Sequence, residues 1–106
     1  MHKFMRILVF FDLPVKTKSQ QRAATQFRNF LIKDGYHMVQ YSVYARICSG
    51  TDAVEVHKAR IKAMLPPKGS IRMMVITEKQ YNTIDILLGY PRKEEESINM
   101  EQPTLF

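Results

Sequence analysis

The sequence predicts an α+β fold in which helices cover one face of a small sheet. An unbroken apolar run at residues 7–11, rich in β-branched and aromatic side chains, is typical of a buried strand. Residues 17–35 show helical spacing, and residues 36–48 alternate as strands do. A second helix, a strand and a last short apolar piece follow. This order predicts a ferredoxin-like plait, βαββαβ, with an extra short C-terminal strand.

The first strand ends in a carboxylate. Residues 7–11 run directly into Asp12, and Pro14 then closes the strand. An acidic side chain at the point where a buried strand emerges has a rigid support near solvent, which suits a metal ligand or a proton-transfer group. The alternative, that Asp12 only caps the loop before the next helix, stays open from composition alone.

The first helix has clear signals at both ends. Thr17 and Gln20 have the spacing of a capping box, and Gly35 supplies a stop. The apolar positions that face the sheet are Ala24, Phe27, Phe30 and Leu31. The polar face is either solvated or part of a phosphate-binding surface, and it carries Lys18, Arg22, Arg28 and Lys33.

Residues 36–48 are too many for one ordinary strand, so we expect a bulge or a switch between two strands near residues 40–42. We expect the odd positions of this segment to face the helices. The opposite face would then gather Arg6, Leu8, Phe10, Asp12, Met38, Gln40, Ser42, Tyr44 and Arg46. Such a face is too apolar for bulk water and predicts a symmetric dimer interface that brings the two Asp12 side chains together.

The second half of the chain predicts a helix with Val54, Ile61 and Leu65 on its inner face, ended by the prolines at 66 and 67. A strand over residues 70–77 and an apolar piece over residues 84–88 follow. We place one domain at residues 1–90. Residues 91–106 form a charged tail that we expect to be flexible unless a partner orders it, with Leu105 and Phe106 as its anchors.

Charge is distributed unevenly. The net charge is +6, but residues 1–93 hold all sixteen Lys and Arg with six acids and carry +10, whereas the last thirteen residues carry −4. A basic body favours a polyanionic partner, nucleic acid above all, although a solubilising excess is the alternative. No apolar run approaches the ~20 residues of a bilayer span, and no cleavage site follows the N-terminal apolar stretch. With a single cysteine, Cys48, we expect a cytoplasmic protein without membrane association.

Several kinds of site are absent from the sequence. It has no phosphate-binding glycine loop, no H-E-x-x-H motif and no RNA-recognition signature. The histidines show no ligand spacing; we expect His37 to be packed and His57 to be exposed. One carboxylate cannot hold a divalent metal tightly, because Mg²⁺ takes one or two carboxylates together with phosphates and waters. Two copies of Asp12 across a dimer would meet that demand.

Three stretches together resemble the signatures of one family. They are FFDLP at residues 10–14, QYSVY at residues 40–44 and VITEKQY at residues 75–81. In order and spacing they are similar to CRISPR-associated protein two, the small subunit of the spacer-acquisition machinery of antiviral defence, over about residues 5–90. The resemblance implies a ferredoxin-like homodimer in which the last strand, residues 84–88, joins the sheet of the partner.

The resemblance also implies two roles. Members have been described as Mg²⁺-dependent endonucleases that act on single-stranded RNA or on double-stranded DNA. For this chain we expect Mg²⁺ as the cofactor, with Mn²⁺ as the alternative ion. The catalytic and metal-binding aspartate of the first strand carries over to Asp12. Members also hold a DNA fragment between dimers of the larger CRISPR integrase subunit.

The residues leave the choice between these roles open. No second carboxylate, His or Lys is spaced to act as a general base beside Asp12, so a fast nuclease is not expected. A scaffold would use the basic body, and its candidate phosphate contacts, chosen for charge and expected exposure, are Lys16, Lys18, Arg22 and Arg46. A third interpretation, a regulatory module for a small ligand, lacks a ligand-shaped loop.

Overall fold

A computed structural model describes residues 4–95 as one antiparallel sheet with its two long helices on one face. The elements are β1 (Phe4–Asp12), α1 (Lys18–Lys33), β2 (His37–Gln40), β3 (Val43–Ser49), α2 (Gly50–Ala63), β4 (Ser70–Thr77) and the short helix α3 (Glu78–Tyr81). A 3-10 turn spans Lys93–Glu95. The sheet order is β2-β3-β1-β4. This arrangement confirms the predicted ferredoxin-like plait.

β1 is the central strand. It pairs antiparallel with β3 on one side and with β4 on the other. Ile7 and Val9 are completely buried and Phe11 nearly so, and all three face the helices in the main core. Full burial of such a side chain stabilises the fold by about 1.5–3 kcal/mol. The continuous apolar run of β1 therefore reflects burial on both faces.

α1 forms and packs as predicted. The Thr17 hydroxyl accepts a hydrogen bond from the Gln20 amide, and the Gln20 side chain accepts one from the Thr17 amide, which completes the capping box. Its buried residues are Ala24, Phe27 and Leu31. The Phe27 ring meets the Phe11 ring edge-on at 5.4 Å. α1 is thus held on the central strand by aromatic contact.

The predicted facing of residues 36–48 is wrong. The register pairs Val9 with Tyr44 and Ile7 with Arg46, and cross-strand partners point to the same face. The even positions of β3, and Met38 of β2, therefore face the helices, and Tyr44 lies in the main core. Gln40 lies beyond the register shift, opposite Val43, and faces away from the helices as expected. The side chain of Ala45 lies on the opposite face, in contact with Leu8. Alternation alone gives the period of a strand but not which half faces the core.

The expected switch between two strands is confirmed. Residues 41 and 42 form the turn between β2 and β3, and the register shifts between Met38 and Gln40. Ser42 has φ 68°, a left-handed conformation that is uncommon for a residue other than glycine. The Phe11 amide donates to the Ser42 carbonyl at 3.1 Å. The turn is therefore tied to the end of β1.

The face of the sheet away from α1 and α2 is not bare. The α3 residue Tyr81 packs on Leu8 and Ala45 in a second, smaller cluster, and Phe10, Val39 and Ile76 lie at its margin. The chain therefore covers part of the face that we expected to be a dimer interface. Exposed apolar side chains remain around it: Met74 of β4, and Leu87 and Leu88 beyond α3. Residues 84–88 form neither helix nor strand in the single chain.

A buried ion pair fixes α3 beneath the sheet. Arg6 is 1% exposed, and its guanidinium binds the Glu78 carboxylate through Nε–Oε1 at 2.6 Å and a second nitrogen at 3.2 Å from Oε2. The same guanidinium lies 4.4 Å from the centre of the Tyr81 ring. Burial of both charges costs free energy, and the two hydrogen bonds between the guanidinium and the carboxylate offset that cost.

α2 is held against α1 by a second polar cluster. The Asp34 carboxylate, at the end of α1, accepts hydrogen bonds from His57 Nδ1 at 2.8 Å and from Arg60 at 2.7 Å. His57 is buried with Val54 and Ile61, so the expectation that it is exposed was wrong. Leu65, expected inside, lies beyond the last residue of α2 and is exposed. His57 takes the inner position because Asp34 gives its ring a polar partner.

The Asp34 carboxyl is tuned by this cluster. Burial disfavours its ionised form, but the hydrogen bonds and charges of His57 and Arg60 outweigh burial and hold the pKa of Asp34 below its ordinary value. Burial and, next, the Asp34 charge raise the pKa of the neighbouring Tyr36, so its hydroxyl stays neutral. The cluster therefore contains one carboxylate, that of Asp34, and the side chains that stabilise its ionised form, His57 and Arg60, both come from α2.

The segment after residue 90 contacts the domain over its described part. The Tyr81 hydroxyl donates a hydrogen bond to the Glu95 carboxylate, and Arg92 Nε donates one to the Val39 carbonyl at 3.2 Å. Burial and the Glu95 hydrogen bond raise the pKa of Tyr81, which keeps it a donor. Flexibility was predicted for residues 91–106; of these, residues 96–106, with the proposed anchors Leu105 and Phe106, lie outside the described residues. No helix within residues 4–95 is long and apolar enough to cross a membrane.

Glu78→Gln is expected to destabilise the protein by about 3 kcal/mol, because it removes the carboxylate that faces the buried Arg6 guanidinium. Urea unfolding followed by circular dichroism measures this. Lys79→Gln, an exposed change in the same short helix, is the matched control and should stay within about 0.5 kcal/mol of the wild type. Equal stability of the two variants would contradict a structural role for the pair.

Asp34→Asn is expected to lower stability at pH 7 by about 2 kcal/mol and to flatten its acid dependence. The folded pKa of Asp34 is depressed, so its contribution is complete above the unfolded pKa, about 3.9, and is lost as pH falls through the folded pKa. Unfolding curves from pH 7 to pH 2.5 measure the difference. The exposed change Glu55→Gln should leave the profile close to that of the wild type. Parallel profiles for Asp34→Asn and the wild type would refute the assignment.

Candidate nucleic-acid interface

Asp12 is the last residue of β1 and is exposed. It lies opposite Ser70 of β4 and, by alternation, on the side of Phe10 that faces away from the helices. β4 pairs with β1 as far as Asp12, whereas on the other side the last contact is the hydrogen bond from the Phe11 amide to the Ser42 carbonyl, so the carboxylate stands at a strand end held from both sides. The structure confirms the predicted position of Asp12 at the end of the first strand.

A glycine shapes the approach to Asp12. Gly69 has φ +116°, and a Cβ there would lie 2.8 Å from the Asp12 carbonyl oxygen and 2.7 Å from the Leu13 side chain. Any other residue would push against the backbone that carries the carboxylate. The loop before β4 therefore closes tightly on the end of β1, which leaves the Asp12 side chain at an accessible rim.

Three of the four predicted phosphate contacts lie together. Lys16, Lys18 and Arg22 are all exposed, on the loop after Asp12 and the first turns of α1. The first turn of α1 carries no acidic residue, although helix N-termini favour acids. The positive end of the helix and these cations therefore add to one basic surface beside the end of β1.

Arg46, the fourth predicted contact, has a structural role. It lies on the helix side of the sheet, where its guanidinium donates to the Asp34 carbonyl and, through Nε, to the Ile47 carbonyl at 3.1 Å. A Cβ at Gly35, which has φ +94°, would lie 2.7 Å from the Arg46 guanidinium. Arg46 thus satisfies the carbonyl at the end of α1, and we remove it from the candidate interface.

A single chain does not assemble a metal site. Within residues 4–95, no three His, Cys, Asp or Glu side chains come together in a way that could hold a metal ion. Asp12 supplies one carboxylate. That donor fits Mg²⁺ only if substrate phosphates, waters or a second carboxylate complete the shell, which is a common arrangement for this ion.

Two side chains near this end of β1 were not selected from the sequence: Tyr41, in the turn between β2 and β3, and Arg28 of α1. Tyr41, in the turn tied to Phe11, is 80% exposed. The Arg28 guanidinium of α1 lies 5.7 Å from the Tyr41 ring centre and 5.9 Å from that of Phe11. Tyr41 was noted only within the QYSVY stretch and Arg28 only as part of a polar helix face. Their contact joins residues far apart in the chain.

Comparison with known proteins identifies the family. The family model described as CRISPR associated protein Cas2 matches residues 5–84. The chain belongs to this family. A protein from Acidovorax ebreus named CRISPR-associated endoribonuclease Cas2 is 51% identical over 102 residues, covering 96% of this chain and all of that protein. A Campylobacter jejuni protein of the same name is 46% identical over 104 residues, covering 98% of this chain and 73% of that one.

The fold of the family is also found among solved structures. The crystal structure of Streptococcus pyogenes Cas2 superposes with a TM-score of 0.58 at 24% identity and covers 77% of this chain and 98% of that one. This likeness supports the plait and its strand order. The stretches FFDLP, QYSVY and VITEKQY all lie inside the matched residues 5–84. The three stretches on which the resemblance rested therefore belong to the matched region.

Proposed function

We propose that this protein acts in CRISPR spacer acquisition, in the cytoplasm, as a homodimer that binds nucleic acid together with the larger integrase subunit. We also propose that Asp12 gives it metal-dependent endoribonuclease activity. The observation that carries the catalytic part is the exposed Asp12 carboxylate at the end of the central strand, beside a basic surface. The names of its relatives, CRISPR-associated endoribonuclease Cas2, support the reaction class.

Asp12 fits the role of a metal ligand because its support is rigid and its side chain reaches solvent. β3 and β4 hold β1, and Gly69 lets the neighbouring loop close on the Asp12 backbone. A bound Mg²⁺ or Mn²⁺ would polarise a phosphoryl oxygen and activate a water for phosphodiester hydrolysis. Lys16 and Lys18 would orient the backbone of the nucleic acid through its phosphates.

The side chains that could otherwise act as a base are engaged elsewhere. His57 lies on the buried face of α2 and is hydrogen-bonded to the Asp34 carboxylate, and the Glu78 carboxylate is paired with the Arg6 guanidinium. Among residues 4–95, no group of three or more His, Cys, Asp or Glu side chains that could hold a metal ion includes Asp12. The proposed nuclease therefore depends on metal-bound water and on a second copy of Asp12, and it is a slow one.

A homodimer would cover the apolar side chains that the single chain leaves in water. Leu87 and Leu88 are 94% and 95% exposed, and Tyr90 is exposed beside them. β4 is an edge strand with one side unpaired within the described sheet. Pairing of residues 84–88 with a neighbouring copy would turn this segment into the fifth strand and satisfy both features. Burying two contiguous leucines per chain favours that assembly.

The second candidate is a subunit that holds DNA without cutting it. It is favoured by the basic surface formed by Lys16, Lys18 and Arg22, set against one carboxylate per chain. Contacts to phosphates do not depend on sequence and weaken steeply with salt. Asp12 is required for the nuclease and not for the DNA-holding subunit, whereas both candidate functions use the basic surface to bind phosphates.

Asp12→Asn is expected to lower the cleavage rate of single-stranded RNA in Mg²⁺ or Mn²⁺ by at least about 100-fold. Mutation of a residue that only hydrogen-bonds to a metal ligand already lowers metal affinity or activity by about 10–100-fold, and Asp12 would be the ligand itself. A labelled RNA and a duplex DNA, each with and without metal, measure the activity. Asp52→Asn, an exposed carboxylate on α2, is the control prepared in parallel. Equal cleavage by wild type and Asp12→Asn, or none by either, would remove the catalytic proposal and leave the DNA-holding role.

The combined change Lys16→Ala, Lys18→Ala and Arg22→Ala is expected to weaken duplex DNA binding and to reduce the slope of log affinity against log salt by about 2–3. Fluorescence anisotropy over a salt series measures both quantities. The combination Lys33→Ala, Lys58→Ala and Lys79→Ala removes the same charge from exposed positions elsewhere. If both triple variants lost affinity equally, net charge and not this surface would account for binding.

A further inference from the structure

We propose that Tyr41, held by Arg28, stacks on an unpaired base of a single-stranded nucleic acid bound at the Asp12 end of β1. This inference rests on the proposed nucleic-acid function and deepens it, because it names the feature of the substrate that the site reads. It concerns base recognition, whereas Asp12 and the basic surface act on the phosphate backbone.

The exposure of Tyr41 is the first observation. All five tyrosines lie within the described residues: Tyr36, Tyr44 and Tyr81 are buried, whereas Tyr41 and Tyr90 are 80% and 93% exposed. Of the two exposed rings, Tyr41 lies in the turn that is hydrogen-bonded to β1. Turns favour Gly, Asn, Asp and Ser, and a large aromatic ring at such a place buries little area. The ring therefore gains little from its own fold.

The backbone of the turn fixes the position of Tyr41 relative to β1. Ser42 holds a left-handed conformation at φ 68°, and its carbonyl accepts the Phe11 amide at 3.1 Å. A residue other than glycine keeps this conformation where the surrounding structure imposes it, and such positions cluster at functional sites. Because Phe11 precedes Asp12, the same hydrogen bond keeps the Tyr41 turn next to the end of β1. The Tyr41–Arg28 contact lies on the helix side of that strand end and the Asp12 side chain on the other side, so a strand that reaches both passes around the end of β1.

Arg28 completes a platform of the kind that single strands require. Its guanidinium carbon lies 5.7 Å from the Tyr41 ring centre, within the range of a cation–π contact. The Arg28 guanidinium packs over the Phe11 ring as well, so it links Tyr41 to the core of the sheet. An aromatic face with an adjacent arginine lets one base stack while the cation meets the neighbouring phosphate.

Such a platform distinguishes single strands from duplexes. A paired base is already stacked between its neighbours, so only an unpaired base can lie on Tyr41. Phosphate contacts through Lys16, Lys18 and Arg22 act on both forms. The preference for single-stranded RNA would therefore reside in Tyr41 and Arg28, and the tolerance for duplex DNA in the basic surface.

The test is binding of a short single-stranded RNA and of the matching duplex, by fluorescence anisotropy without divalent metal so that the RNA stays intact. Tyr41→Ala is expected to weaken single-strand binding about tenfold and duplex binding by less than about twofold. Tyr41→Phe keeps the stacking face and should bind within about twofold of the wild type. Arg28→Gln should weaken single-strand binding as well.

A second readout separates stacking from a merely structural effect. RNAs with one abasic nucleotide, placed at each position in turn, should bind the wild type about tenfold more weakly at one position and bind Tyr41→Ala without that loss. Equal single-strand affinity of Tyr41→Ala and wild type, or equal loss for single strand and duplex, would overturn the stacking role and leave the proposed function standing. A wild type that binds no nucleic acid would overturn both.

Discussion

Hydrogen bonding of β1 on both edges is the constraint on which the rest of the molecule depends. A strand paired with β3 and β4 cannot shift without breaking two ladders, and its alternate side chains enter two separate clusters. Ile7 and Val9 anchor the helices on one face, while Leu8 receives Tyr81 on the other. Asp12 inherits its fixed position because it is the last residue of this strand.

Two buried polar contacts decide how the outer elements dock on that strand. The Arg6–Glu78 pair holds α3 under the sheet, and the Asp34 carboxylate joins the end of α1 to α2 through His57 and Arg60. Hydrophobic contact tolerates small slides, whereas a paired buried charge requires one geometry. The plait is thus set by apolar burial in β1 and oriented by a few charged side chains.

The end of β1 is where these constraints meet solvent. Asp12, the basic start of α1 and the Tyr41 turn come from three different elements, and each is tied to β1 or to the loop that follows it. A carboxylate, several cations and an exposed aromatic ring at one rim are the side chains that contact metal, phosphate and base, respectively. One end of a small sheet therefore brings together side chains suited to all three kinds of contact.

The sequence by itself determined the order of the elements, the capping of α1, the strand switch near Gln40, and Asp12 at a strand end, because each depends on local spacing and backbone preference. Only the tertiary structure decided which half of residues 36–48 faces the helices, because register with β1 sets it and alternation does not. It also decided that Arg46 and His57 serve the fold and that Tyr41 meets Arg28. Those contacts join residues 12 to 23 positions apart, and partners at that separation are chosen by packing, which no local pattern encodes.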